Sequence, residues 1–223
     1  MSKHLFLDTE TTGLRPGLHD IIQLAAILEV DGKVVGEFSE YLAPMNPASI
    51  SSKALEVNGI TKEQLETFPP AKDILNKFIK FLAPYVPKSS NDDRFIIAGQ
   101  NPNFDKGFLE ALFTRNGYKI EGFNKLFSYQ VIDLLSLNVL LRNKGYIPLD
   151  SNIKLATMAD YYGVVVEKHH DAYEDVKATY TIFKKIMDIF IKSPHEINID
   201  MFDKNSPIYL HFKKLKHYQA TSN

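Results

Sequence analysis

No cysteine occurs among the 223 residues. That absence excludes disulfides, zinc–thiolate centres and cysteine nucleophiles, and it accords with a reducing compartment. Uninterrupted apolar runs of the ~18–20 residues needed for a membrane span are also missing. The first apolar run, Leu5-Phe6-Leu7, is too short for the core of a secretory signal, and Asp8 stops it. These absences predict a soluble, cytoplasmic protein without a membrane partner. Excess charge of one sign is lacking too, since 26 Lys and Arg face 27 Asp and Glu for a net charge of −1. The balance excludes a disordered chain and a generally basic nucleic-acid coat. It leaves room for nucleic acid at a local site neutralised by metal. Internal repeats and low-complexity tracts are absent.

At roughly 150 residues per domain, the length fits one large domain. Leu5 to Leu7 reads as a short buried strand, and Ile21 to Val30 as a second. Asp31-Gly32 is a hairpin signal leading into a third strand from Val34 to Leu42. Ser51 or Ser52 caps a short helix that Asn58-Gly59 stops, and Thr61 with Gln64 forms a capping box for another. Ile74, Phe78, Phe81 and Leu82 follow helical spacing. Phe95 to Ala98 predicts a fourth strand, Asn103 to Asn116 a helix, and Tyr129 to Ile132 a fifth strand. A helix over Ile153 to Tyr162 precedes the longest one, Ala172 to about Lys192, with Val176, Tyr180, Phe183, Met187 and Phe190 as its apolar stripe. Three strands in a meander, followed by alternating helices and strands, imply an α/β fold with a mixed five-stranded sheet and helices packed on it. The expected division is a domain over 1–193 and a helical tail over 194–223, with a last helix around Ile208 to Tyr218.

Asp8 and Glu10 end the first strand. Residues two apart in extended chain point to one face, and two carboxylates aimed together repel unless a cation lies between them. Their hard oxygens suit Mg²⁺ or Mn²⁺. A turn-initiating Asp beside a solvated Glu is the simpler alternative. Thr11-Thr12-Gly13-Leu14 follows at once. Gly13 permits a tight turn, the preceding N–H groups could face a phosphate, and Leu14 is either a wedge against a base or a core residue. Asp105 follows the fourth strand, whose loop should lie near the end of the first; taken alone, a first-turn helix Asp favoured by the macrodipole is the better explanation. His170 and Asp175 stand at the start of the longest helix, although His195 and Asp200 repeat the same spacing. Asp133, at the end of the fifth strand, is either a helix cap or a further acid of the site.

Three motifs in order resemble the DEDDh 3′–5′ exonucleases, relatives of the proofreading epsilon subunit of bacterial DNA polymerase III. They are Leu7-Asp8-Thr9-Glu10-Thr11-Thr12-Gly13-Leu14, Asn101-Pro102-Asn103-Phe104-Asp105 and His170-Asp171-Ala172-Tyr173-Glu174-Asp175. Asn58-Gly59-Ile60-Thr61 resembles a further family segment, with Asn58 where the family commonly has His. The resemblance covers about residues 3 to 190 and implies a ribonuclease-H-like fold. It assigns Asp8, Glu10 and Asp175 to one metal ion, has Asp8 bridge to a second, lets Asp105 act through water, and makes His170 the general base rather than its neighbour His169. Two divalent ions would serve hydrolysis of a phosphodiester, and His suits the base role because its ordinary pKa is about 6.5.

Leu14, Ile60 and Phe104 are candidate contacts to terminal bases, with Thr11, Thr12 and Gly13 beside them. Core packing is the competing reading of Phe104. The expected substrate is nucleic acid with a free 3′ end, single-stranded DNA ahead of RNA or oligoribonucleotides. A DNA polymerase or replication partner also follows from the resemblance. Lys213, Lys214 and Lys216 would either guide a strand or form a solvated face, and Tyr209, Leu210, Phe212 and Leu215 would dock on the body or on a partner. A binding module that keeps a nuclease fold without turnover, or a general phosphoesterase of small nucleotide esters, stands as the alternative from another class.

Overall fold

The computed structural model describes residues 2–86, 93–147, 152–168, 170–191 and 199–220. His169 and His195 lie outside the described residues. Five strands form one sheet: β1 (Lys3–Thr11), β2 (Ile21–Val30), β3 (Lys33–Tyr41), β4 (Phe95–Gly99) and β5 (Phe127–Asp133). Their order is β3-β2-β1-β4-β5, with the β1–β2 and β2–β3 pairs antiparallel and the β1–β4 and β4–β5 pairs parallel. This is the expected mixed sheet. β1 runs well beyond the anticipated Leu5 to Leu7 because it is the central strand. Pairing with β2 carries its polar end, Thr9 to Thr11, into the sheet. A bulge follows Glu10, where Thr11 pairs with Ile21 and Ile22 is the extra residue; such a bulge re-aims the chain as it leaves the sheet.

The helices are α1 (Ser52–Asn58), α2 (Lys62–Thr67), α3 (Ala71–Leu82), α4 (Pro102–Arg115), α5 (Ile120–Leu126), α6 (Leu134–Asn143), α7 (Leu155–Tyr162), α8 (Ala172–Ile191) and α9 (Pro207–Ala220). Ser51 caps α1 and Gly59 closes it in the left-handed conformation at φ 65°, which Gly adopts without a Cβ penalty. The Thr61–Gln64 capping box of α2 is present in both directions. α5 is an element the sequence did not announce. It is short, contains Gly122, and has no side-chain cap.

Alternation along β1 divides the core. Leu5 and Leu7 join α3 and α4 residues such as Phe78, Phe108 and Leu112 on one face. Phe6 joins Met158, Val176, Ile182 and Ile186 of α7 and α8 on the other. The buried arc of α8 includes Val176, Ile182, Phe183, Ile186 and Ile189, while Tyr180 and Met187 are only partly buried. Val176 and Phe183 of the expected stripe are buried, and Ile182, Ile186 and Ile189 widen it because α8 packs on α7 as well as on the sheet; the side chain of Phe190 lies outside the described ones. The described part of the tail belongs to this second core. Phe202, Ile208 and Phe212 are buried in it, and the Phe212 ring lies 5.9 Å from that of Tyr146. Leu210, Lys213 and Lys214 are exposed.

Candidate active site

The acids converge at the end of the central strand. Asp8 and Glu10 follow Phe6 at two-residue steps along β1 and so share its face, toward α8. Their Cα partners on β2 are Ala25 and Gln23. Asp105, in the first turn of α4, is 4% exposed and approaches from the opposite layer. The Thr9 hydroxyl donates to Asp105 Oδ1 at 2.7 Å and fixes it there. α4 is introduced by Asn101 in the left-handed region at φ 58° and by Pro102 in its first turn. One ligand atom from each of Glu10, His170 and Asp175 lies within 4.8 Å of the others. His170 precedes α8 at φ 58°, uncommon for a residue with a side chain. Asp171 then caps the helix by accepting from the Tyr173 N–H at 3.1 Å.

The acids perturb one another. Burial first, and then the charges of Asp105, Asp175, Glu10 and Asp171, push the Asp8 carboxyl well above its ordinary range. Burial followed by Asp175, Asp171 and Asp105 raises Glu10 to about 8. Asp105 is also raised, by burial, against the opposing hydrogen bond from Thr9. Crowded carboxylate oxygens with one imidazole form a donor set that fits a hard divalent cation, and a cation would relieve the repulsion that raises these groups.

Beside the acids lies a cleft of about 560 Å³ lined by Thr11, Gly13, Leu14, His19, Lys53 and Val57, among others. Leu14 is 80% exposed at its rim. The other expected contacts divide. Ile60 is buried with Ile22, Leu55 and Leu65, so it is a core residue and not a surface for a base. Thr12 is fully buried; its N–H donates to Asp20 O at 2.8 Å and its hydroxyl accepts from the Asp20 N–H at 2.9 Å. The Thr12 N–H is therefore not left to face a phosphate, and its hydroxyl is withdrawn by burial. Gly13 does not have positive φ. Its role is close approach, because a Cβ there would meet the His19 ring at 2.3 Å. Thr11 lines the cleft, and its hydroxyl donates to Gly13 O at 2.7 Å. Phe104 is half-buried with its ring 4.9 Å from that of Phe108. Asn58 donates to Thr11 O at 2.9 Å and ties α1 to the end of β1. Asp133 accepts from the Leu135 and Asn101 N–H groups, both at 3.0 Å, and is a cap.

Thr9, His19 and Asp171 are the supporting residues that sequence reasoning passed over. For Asp171 a signal existed: an Asp immediately before an amphipathic run is an N-cap pattern. Thr9 and His19 act through residues distant in sequence or through a folded loop, and no local pattern marks them.

An exonuclease family model named for RNase T matches residues 5–183. The chain is 31% identical over 218 residues to the PolC-type DNA polymerase III of Caldanaerobacter subterraneus subsp. tengcongensis, covering 96% of this chain and 14% of that protein. It is 33% identical over 178 residues to the PolC-type DNA polymerase III of Lacticaseibacillus paracasei, covering 80% of this chain and 11% of the relative. The chain thus spans a small fraction of the length of these relatives. Among solved structures, E. coli exonuclease I in complex with a dT13 oligonucleotide has a TM-score of 0.65 at 23% identity, over 84% of this chain and 41% of that one. Cell-death related nuclease 4 has a TM-score of 0.66 at 17% identity, over 85% of this chain and 64% of that one. Both share the fold. Among the described residues no helix is long and apolar enough to cross a membrane. The matched segment contains Asp8, Glu10, Asp105, His170 and Asp175, and the chain belongs to the RNase T exonuclease family.

Proposed function

We propose that the chain is a divalent-metal-dependent 3′–5′ exonuclease acting on single-stranded DNA. The observation that carries this reading is the grouping of Glu10, His170 and Asp175 ligand atoms within 4.8 Å beside the cleft-forming end of β1. Asp8, Glu10 and Asp175, with Asp105 behind them, would hold two ions, Mg²⁺ or Mn²⁺. Such ions supply Lewis-acid activation and offset the charge that develops on the phosphate. His170 takes the proton of the attacking water on an imidazole nitrogen as the new P–O bond forms. The P–O3′ bond breaks in line, and the departing 3′ oxygen takes a proton from solvent. The release of one nucleoside 5′-monophosphate per cycle follows from that polarity.

Leu14 at the rim offers an apolar edge to a terminal base, and Lys53 lines the same cleft with a cation. Such contacts tolerate sequence, as exonucleolytic progress along a strand requires. Single-stranded DNA is favoured over RNA because the curated relatives are DNA polymerases and a structural neighbour was solved with dT13. Association with a replicative polymerase belongs to the same reading. The test is digestion of 5′-labelled and 3′-labelled DNA and RNA oligomers with Mg²⁺ or Mn²⁺. Stepwise shortening of the 5′-labelled strand, with immediate loss of the 3′ label, is expected. Internal cuts or removal from the 5′ end would contradict the proposal, and metal binding without turnover would favour a binding module.

A further inference from the structure

Glu10, Gln23 and Tyr41 are direct Cα partners across three adjacent strands, Glu10 with Gln23 and Gln23 with Tyr41. Directly opposed residues share one face of a sheet, so their side chains form a row. The row begins at an acid of the site, and its other two members grip the start of α8. Gln23 is 2% exposed. Its Nε2 donates to Asp171 Oδ1 at 3.2 Å, and its Oε1 accepts from the Ala172 N–H at 3.1 Å. Tyr41 donates its hydroxyl to Asp171 Oδ2 at 3.3 Å. Asp171 Oδ1 also accepts from the Tyr173 N–H, and the Asp171 carbonyl accepts from the Asp175 N–H at 2.9 Å. Asp171 therefore joins the row on the sheet to the turn bearing His170 on one side and Asp175 on the other.

We propose that Gln23, assisted by Tyr41, is a positioning residue that acts through Asp171 to set the distance from Glu10 to His170 and Asp175. The amide is chemically required. One end must donate to a carboxylate while the other accepts from a backbone N–H, and only a neutral amide of this length does both. A Glu at position 23 would still accept from Ala172 but would set two carboxylates against each other. A Leu would leave the Ala172 N–H without its acceptor and remove one of the donors to Asp171 Oδ1. The left-handed backbone of His170 gives the clamp a second task, because strained conformations persist only where their surroundings hold them. Gln23 does not line the cleft, so the clamp acts on turnover and not on strand binding.

The proposal rests on the exonuclease reading, and three variants test it in the full chain. Gln23→Leu should lower kcat for a single-stranded oligonucleotide at least tenfold while KM stays within twofold, because small misplacements of reacting groups cost about this much or more. Gln23→Glu should lower kcat further. Amide hydrogen exchange at Ala172 and Tyr173 in the metal-free protein should quicken in both Gln23 variants. Wild-type kcat in Gln23→Leu, a rise in KM instead of a fall in kcat, or unchanged exchange at Ala172 and Tyr173 would each overturn the proposal. If Gln23→Leu does not fold, Tyr41→Phe read by the same kcat-to-KM split and exchange decides it. Absence of nuclease activity in the wild type would refute the exonuclease reading alone, since exchange in the metal-free protein still judges the clamp.

Discussion

The two ends of the β1–β2 ladder bury acid in opposite ways. At one end Glu29, 3% exposed, accepts from Lys184 at 2.9 Å and from Tyr180 at 3.0 Å, and lies 3.2 Å from His4. Burial works against its charge, but the hydrogen bonds from Lys184, His4 and Tyr180 prevail and hold the carboxyl below its ordinary value. At the other end Glu10 faces Asp175, Asp171 and Asp105 and is raised to about 8. The same helix serves both ends, giving Lys184 to one and Asp175 to the other. A buried carboxylate answered by donors and a cation is complete in the folded chain. One answered by further carboxylates is complete only when a cation arrives from outside. That difference separates a structural acid from a functional one more sharply than burial does.

The comparison predicts the largest effects at the end where acids face acids. Asp8→Ala or Asp175→Ala should abolish metal-dependent nuclease activity while far-UV circular dichroism and cooperative unfolding persist; full turnover by either purified variant would break the assignment. His170→Ala should lower kcat by roughly 10²–10⁴-fold, the usual contribution of a general base. His169→Ala should do much less, and equal losses in a paired steady-state assay would reopen the choice of base.

Much of this was legible in the sequence. The order of the three acidic motifs, the strand that carries Asp8 and Glu10, the caps at Ser51 and Thr61, and the long last helix of the core all follow from local patterns. The remainder depended on contacts remote in sequence. Nothing near Ile60 reveals that Ile22, released by a bulge, would cover it. Gly13 looked like a turn residue and is instead small because His19 folds back against it. The hydroxyl of Thr9 finds Asp105 from 96 residues away. After Pro194, Phe212 was legible as a docking residue but not as docking on the body rather than on a partner; it completes the core on the α7–α8 side.

A smaller and more diagnostic effect concerns pH. In the metal-free protein Glu10 holds its proton from its ordinary 4.5 up to about 8, whereas the unfolded chain has released it. Its contribution to stability is thus complete below the unfolded value and is lost as pH rises through the folded one. Asp8 and Asp105 are raised as well and act in the same direction. Glu29 has the opposite sign: its contribution is present above its ordinary value and is lost as pH falls through the depressed one. Thermal unfolding in chelator should show stability falling between about pH 5 and pH 8 through these raised acids. Mn²⁺ or Mg²⁺ should raise Tm more at the higher pH, because a ligand of the native state stabilises more the tighter it binds, and it binds the ionised site more tightly. A rise in Tm with pH in chelator, or equal metal effects across this range, would argue against uncompensated carboxylates.

The smallest change is expected at the answered end. Glu29→Gln should cost about 1–3 kcal/mol of folding stability, the usual penalty for stripping buried donors of their acceptor. It should leave kcat and the metal requirement unchanged. A loss of turnover without a loss of stability would show that the two ends are not separable.

The central claim is that the acids at the end of β1 are built to receive a divalent cation. Its most direct measurement is calorimetric titration of the metal-free protein with Mn²⁺ near pH 8, in parallel with Glu10→Gln and Asp175→Asn. Saturable binding by the wild type, accompanied by proton release and lost in both variants, is predicted. Unchanged binding in the variants, or no saturable binding by the wild type, would contradict it.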